Sequence, residues 1–384
     1  MICCVVPAAR AVGFHAYLSS EGQALTSRMQ ILPYEDLLRS RRTPLATYVF
    51  SGLDQICPVE RELAAIVADR IAQSGANVRV LNHPRDVRLR YDLLREAHDT
   101  GLNSFRAVRA TAASPRPNAK SPNDAIENLR YPVFLREEND HNGGLSPLLQ
   151  DRHALEKGIV SLLLRGYRLD DLLIVEFCDT SDQALCFRKY SAFIVGDRIL
   201  PRYLNVSRAW MVKQTTRLYD MELADEELEF LAGNPHAQWL ERIFDLARVQ
   251  YGRIDYGLKD GVPQVWEINT NPTIGRTPRS RRRTPEQERY HARMTPGRER
   301  FYESFHAAWD AVDSTATGSI DFELPPALLR QLATEKTTQR RAATRANAAR
   351  WLAHNAWARA IKRGIEPAAH RVAPLLLRMV RRTD

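Results

Sequence analysis

The chain has 384 residues, 44% of them hydrophobic, and a formal charge of +9 at pH 7, which is length enough for two or three domains with cores of their own. Its five cysteines, Cys3, Cys4, Cys57, Cys178 and Cys186, are odd in number and include no Cys-x-x-Cys, so neither a disulfide framework nor a zinc site is indicated and a reducing cytoplasm is expected. The start, MICCVVPAARAVGF, has no charged stretch before its short apolar run and does not read as a signal peptide, and no run of about 18 apolar residues is present to span a membrane. The positive charge is concentrated in residues 276–300 and 334–384, leaving residues 1–275 slightly acidic. Cys178 and Cys186 could face each other on neighbouring strands, but buried free thiols are the expectation.

Taken in order, ICCVV is a candidate first strand, and the basic stretch from Arg39 to Arg42 reads as a loop. ATYVFSGLD predicts a strand, Pro58 to Gln73 a helix through Leu63, Ile66, Val67 and Ile71, and Asn77 to Leu81 a further strand after the Gly75 stop. Strand, helix and strand at this spacing make a βαβ unit with a parallel pair. No Gly-x-Gly-x-x-Gly follows the first clear strand, so a dinucleotide site is not indicated. A helix through Leu89, Leu93, Leu94 and Ala97 ends at Gly101. After an Ala, Ser and Pro-rich connection, Tyr131 to Leu135 is a buried-strand run with Arg136 at its end and a loop of His141, Asn142, Gly143 and Gly144 beyond it. LLIVEF is a strand ending near Glu176, and FRKYSAFIVGDRILPRYL is a hairpin turning at Gly196-Asp197. The helix from Asp225 to Arg248 is predicted to break near Gly233 and Pro235.

GRIDYGLKDGVPQVWEINTNPTIG, residues 252 to 275, reads as two strands joined at Lys259-Asp260-Gly261, where glycine supplies the positive φ that a tight hairpin needs. Side chains of a strand repeat every two residues, so Arg253 shares a face with Asp255, and Glu267 with Asn269. Cross-strand pairing can bring the four together. Two carboxylates and an amide oxygen make a hard, all-oxygen set suited to Mg2+ or Mn2+, and Arg253 beside them suits an oxyanion. The plainer alternative is a surface hairpin with ordinary charges.

Asp255, a glycine-containing turn and then Glu267-x-Asn269-x-x-Pro272 resemble the metal-binding end of ATP-grasp enzymes, and Arg253-Ile-Asp255 is similar to the Arg-x-Asp of D-alanine:D-alanine ligases. The resemblance spans roughly residues 45 to 275 and implies an α+β fold. Two α+β subdomains would clasp ATP, preceded by a small α/β domain and followed by a basic, mostly helical extension, with divisions at 1–81, 82–275 and 276–384. It implies that Asp255, Glu267 and Asn269 hold Mg2+ (or Mn2+), and that Arg253 stabilises an oxyanionic intermediate. Arg90 and Arg136 stand where the family has phosphate-binding lysines. Arg136 keeps the charge and adds a planar fork, but changes reach. Glu176 matches the acid of the adenine hinge, Asp179 and Asp182 compete for the ribose, and Lys189 and Lys213 are further nucleotide ligands, Lys213 on a loop that closes over the triphosphate and that gives it a catalytic role as well. An exposed helix arginine at Arg90 and a cross-strand ion pair at Lys189 are the simpler alternatives.

The implied function is an ATP-dependent ligase: a carboxylate is activated as an acylphosphate and passed to an amine or thiol, neither substrate being legible in the sequence. The alternatives are an ATP-grasp kinase or phosphotransferase, and a catalytically weak ATP-binding scaffold acting through its basic tail. In that tail Trp351, Ala358, Ile361 and Ile365 form one helical stripe, which suits an anionic membrane surface, a protein partner or the chain's own surface, with nucleic acid ranked behind. The expected location is cytoplasmic, with a membrane-peripheral variant if the tail binds lipid.

Overall fold

In the computed structural model of the protein, the described residues are 1–75, 77–113, 126, 128–141, 143–275 and 283–338. The tail stripe from Trp351 to Ile365 and loop residue Asn142 lie outside them. Two compact units emerge. One is built from Met1–Leu89 and Asp179–Leu332, the other from the described residues of Arg90–Cys178 together with 333–338.

The first unit opens with β1 (Ile2–Val6), α1 (Val12–Leu18), β2 (Met29–Pro33), α2 (Tyr34–Arg39), β3 (Arg42–Pro44), β4 (Thr47–Phe50), α3 (Pro58–Ala72) and β5 (Val80–Leu81). Four of these strands form a parallel sheet in the order β2-β1-β4-β5, so the βαβ unit expected from β4 through β5 is present, with Tyr48 opposite Val80. Every residue of β1 is buried, which is what a central parallel strand covered on both faces requires and why ICCVV carries no alternation. α3 starts on Pro58 at its first turn, with the Cys57 thiol accepting from the Glu60 N–H.

The unit resumes with β9 (Phe187–Val195), β10 (Arg198–Ser207), α6 (Met221–Gly233), α7 (Ala237–Ala247), β11 (Tyr251–Lys259), β12 (Val262–Asn269), α8 (Pro285–Arg293), α9 (Thr295–Val312) and β13 (Ser319–Asp321). The sheet order β10-β9-β11-β12 is antiparallel throughout. The expected break between α6 and α7 falls at Asn234, whose φ of 40° ends the first helix in a left-handed cap. One face of this sheet sends Phe193, Val195 and Tyr251 into a core shared with Phe14 and Tyr17 of α1, Val49 of β4, and Phe301, Phe305 and Trp309 of α9. Residues 301–312, within the basic segment 276–384, are therefore integral to this core. Fully buried Asn82 clasps the two sheets: its amide donates to the carbonyls of Phe50 and Tyr251 and its oxygen accepts from the N–H groups of Gln250 and Tyr251.

The opposite face carries Tyr190 and Tyr256, stacked at 5.4 Å, against Phe230, His236 and Trp239. His236 Nδ1 lies 2.9 Å from the Tyr256 hydroxyl, and burial lowers the imidazole pKa below its ordinary 6.5. A ring held neutral by the fold takes up its proton more readily once unfolded, so its contribution to stability is complete above pH 6.5 and declines as the pH falls below that value. Melting temperature measured from pH 7.5 down to 5.5 is expected to fall less steeply for His236→Gln than for the wild type; equal slopes would contradict this source of acid sensitivity.

The second unit contains α4 (Arg90–Asp99), β6 (Ala107–Arg109), β7 (Val133–Glu137), α5 (Arg152–Leu164) and β8 (Leu172–Glu176). Its strands form an antiparallel sheet in the order β6-β8-β7. α4 ends where Gly101 takes a φ of 73°, the stop expected from the sequence. Val133, Leu135, Leu155, Ile159, Leu162, Leu172 and Ile174 form the core between sheet and helix. All five cysteines are free; Cys178 and Cys186 are half-buried, not fully buried as expected.

Candidate functional site

The hairpin β11–β12 turns on Asp260 and Gly261, with φ of 51° and 78°, so both central residues are left-handed as a two-residue primed turn requires. Beyond that turn Lys259 faces Val262, Gly257 faces Gln264 and Tyr256 faces Val265. If that register continued, Asp255 would pair with Trp266, and Glu267 and Asn269 would project from the opposite face to Arg253 and Asp255. A β-bulge at Trp266 prevents this. The extra residue shifts the pairing so that Asp255 faces Glu267 and Arg253 faces Asn269. The four residues expected to converge do so because of the bulge, a feature that period-two reading of each strand could not supply.

Across the sheet, Tyr203 of β10, Ser191 of β9, Asp255 of β11 and Glu267 of β12 form one row. Asp255 is buried and receives five hydrogen bonds. Ser191 Oγ, Tyr203 OH (3.4 Å) and Arg253 Nε (3.1 Å) donate to Oδ1, and Lys189 Nζ (3.2 Å) and Arg253 Nη2 (3.5 Å) to Oδ2. Burial pushes the Asp255 carboxyl up, but the Arg253 and Lys189 cations outweigh it and hold the group below its usual range. Arg253 is held charged, the loss on burial being exceeded by attraction to Asp255, then Tyr203 and Glu267. Ser191 and Tyr203 were not found by sequence reading; their signal was only their place on strands flanking Asp255.

Asn269 opens the loop 269–275, and its Oδ1 accepts from the Asn271 N–H at 2.8 Å. The loop is pinned where β1 and β4 end. Asn271 Nδ2 donates to the Arg10 carbonyl, Thr270 Oγ1 accepts from the Gly52 N–H, and the Ile274 carbonyl accepts from Tyr302 OH while its side chain is buried. A Cβ at Gly275 would sit 2.9 Å from the Tyr17 backbone, so only glycine lets the loop lie this close to α1. The carboxyl ends of parallel strands are the usual place for ligands in such sheets, and this loop brings the Asn269 end of the hairpin to them.

The remaining expected residues are distributed as follows. In the first unit, Lys213 is exposed at the head of the turn 214–216. Asp179 accepts from the Ser181 N–H and Oγ, whereas Asp182 accepts from the N–H groups of Ala184 and Cys186 and from Arg188, contacts that lower its pKa. Lys189 makes the cross-strand ion pair with Asp255. In the second unit, Arg90 is buried at the start of α4 and donates from Nη1 to the carbonyls of Glu137, Glu138 and Asp140, with Nη2 3.1 Å from His141 Nδ1. It thereby braces the loop after β7. Arg136 is also buried. The Glu176 carboxylate accepts from the N–H groups of Arg106 and Arg130 and from the Arg130 guanidinium, so its side chain is committed within the unit.

The donor chemistry at Asp255, Glu267 and Asn269 fits a hard divalent cation, and Asp255 already holds two cations of the chain. Among the described residues no three His, Cys, Asp or Glu side chains cluster closely enough to hold a metal on their own, so the set depends on the Asn269 amide oxygen.

No protein-family model matches the chain. It is similar to a D-alanine–D-alanine ligase of Clostridium perfringens strain SM101, 24% identical over 153 residues that make up 39% of this chain and 47% of that protein. It is also similar to D-alanine–D-alanine ligase A of Clostridium perfringens strain 13, 23% identical over 159 residues. Among solved structures, a D-alanine–D-alanine ligase from Bacillus anthracis complexed with ATP aligns over 81% of this chain and 99% of its own, with a TM-score of 0.43 and 13% identity. An ATP-grasp RimK domain protein from Sphaerobacter thermophilus aligns over 79% and 100%, with a TM-score of 0.40 and 14% identity. The chain resembles the ATP-grasp ligases. It spans about half the length of the curated ligases it matches. No described helix is long and apolar enough to cross a membrane.

Proposed function

We propose that the protein is an ATP-dependent ligase that activates a carboxylate as an acylphosphate and transfers the acyl group to an amine or thiol. The observation that carries this reading is the bulged register of β11 and β12, which sets Asp255 opposite Glu267 and Arg253 opposite Asn269 on one face. The likeness to D-alanine–D-alanine ligases supports the same chemistry. Asp255, Glu267 and Asn269 would hold Mg2+ (or Mn2+), which when bound neutralises charge on the phosphates of ATP.

In the first step a substrate carboxylate oxygen attacks the γ-phosphorus, the bond to the β-phosphate oxygen breaks, and ADP leaves. In the second the amine or thiol adds to the acyl carbon and phosphate departs. Arg253, kept charged by Asp255, is placed to stabilise the oxyanion that forms on addition. Lys213, exposed on its turn, serves as a phosphate contact. Arg136 and Glu176 are proposed nucleotide contacts on the family resemblance, and Arg90, which stands at a phosphate-binding position of the family, is proposed to act by bracing the loop after β7. Asp179 is favoured over Asp182 for the ribose, because Asp182 is already engaged by Arg188 and two backbone N–H groups. By role, residues 1–81 would form the α/β domain that precedes the nucleotide site, 82–275 the part that clasps ATP, and 276–384 the basic extension.

Product analysis tests the reading. With Mg-ATP, a panel of carboxylates and a shared amine or thiol acceptor, the expected products are ADP, free phosphate and an amide or thioester in equal amounts. A stable phosphate ester without free phosphate would instead establish a phosphotransferase, and no nucleotide turnover with any panel member would favour the scaffold.

A further inference from the structure

The Asp255 carboxylate is already fully subscribed. A carboxylate offers about four lone-pair sites, and five donor contacts converge on this one. Two donors are cations: Arg253 lies on the same strand, and Lys189 reaches across from β9, with its side chain 18% exposed. With Glu267 paired opposite, the two carboxylates and two cations form a group with no net charge. A hard divalent ion usually meets uncompensated oxygen ligands. Here it would meet an acid whose charge is already matched, and it would arrive beside an ammonium in a buried, weakly screened setting.

We propose that Lys189 is a built-in counter-ion that competes with the divalent metal for Asp255, so that metal enters the Asp255–Glu267 pair only as the Lys189 ammonium lets go of Oδ2. Glu267 and Asn269 then provide the first hold, and Lys189 sets how strongly the protein takes metal when no nucleotide is present. Once displaced, the ammonium is available to a phosphate, which reconciles the ion pair seen here with a nucleotide-binding role for the same residue. The inference rests on reading Asp255, Glu267 and Asn269 as the metal set. It adds a control that the bare motif lacks: the motif specifies three oxygen ligands, and Lys189 supplies the competitor that tunes them.

The test is Mn2+ binding to the full chain without nucleotide, read from the electron paramagnetic resonance signal of free Mn2+. Lys189→Met removes the charge and keeps much of the length, and is expected to tighten Mn2+ binding at least about tenfold. Lys189→Arg, which keeps the charge, should bind Mn2+ as the wild type does. Lys189→Gln can still donate to Asp255 without carrying a charge, and it serves if the methionine variant does not fold; tightening is expected there too. Unchanged or weaker Mn2+ binding in the folded neutral variants overturns the proposal. Glu267→Gln separates this from failure of the metal assignment itself. If it binds Mn2+ as the wild type does, or if neither the wild type nor any Lys189 variant binds the ion, the metal set is misassigned and the proposal falls with it. If Glu267→Gln weakens binding while the neutral Lys189 variants match the wild type, the metal set stands and only the role of Lys189 is refuted.

Discussion

Replacing Glu227 by alanine is expected to destabilise the protein by about 3–5 kcal/mol, measured by denaturant unfolding. Glu227 on α6 and Arg217 form an ion pair of 2.6 Å in which the side chains are only 5% and 7% exposed. Tyr290 OH donates to Glu227 Oε2 at 2.6 Å, the Leu204 N–H donates to Oε1, and Arg217 also donates to the Leu204 carbonyl. Burial works against the Arg217 charge, but Glu227 and then Tyr290 more than restore it. Removing the acid alone would leave a buried guanidinium without its counter-charge, the case in which a buried pair costs most. Removing both groups costs less. Glu227→Leu combined with Arg217→Met should recover part of the loss, because no buried charge is then left unpaired while the Leu204 N–H and Tyr290 OH still lose their acceptor. Strictly additive losses would show that the pair does not act as a unit. The same network fixes the segment behind the 214–216 turn, so the single variant is also expected to loosen the support of Lys213.

Much of the fold was legible because hydrophobic period and turn chemistry agreed. The β4–α3–β5 unit, the Gly101 stop, the Gly196 turn and the α6–α7 break all stand where Leu63 to Ile71, the glycines and Pro235 place them. Beyond ICCVV, the first 44 residues resisted reading because α1, β2 and α2 are short, five to seven residues each. Segments of that length carry too few repeats to reveal a period. The place of Phe301, Phe305 and Trp309 was hidden for another reason. Their helix follows a basic stretch, and nothing local shows that its apolar face closes the core against α1 and β11.

At the site, residue types were legible and their convergence was not. Arg253, Asp255, Glu267 and Asn269 stand out by chemistry, yet a regular hairpin would have separated them onto two faces. The bulge at Trp266 is the missing step, and a lone tryptophan in a strand gives no sign of it. Partners such as Ser191, Tyr203 and Lys189 lie 52 to 66 residues before Asp255 in the chain, where only the sheet order connects them to it.

The measurement that tests the central claim most directly is calorimetric binding of ATP with and without Mg2+, comparing the wild type with Glu267→Gln. Glu267 faces Asp255 and is half-buried at the edge strand, so the amide substitution keeps its shape and removes one carboxylate ligand. The account predicts that Mg2+ strengthens ATP binding to the wild type and that Glu267→Gln loses that gain, weakening Mg-ATP on the order of 100-fold while leaving metal-free ATP binding little changed. Equal Mg2+ dependence in the two proteins, or no nucleotide binding by the wild type at any Mg2+ concentration, would contradict it.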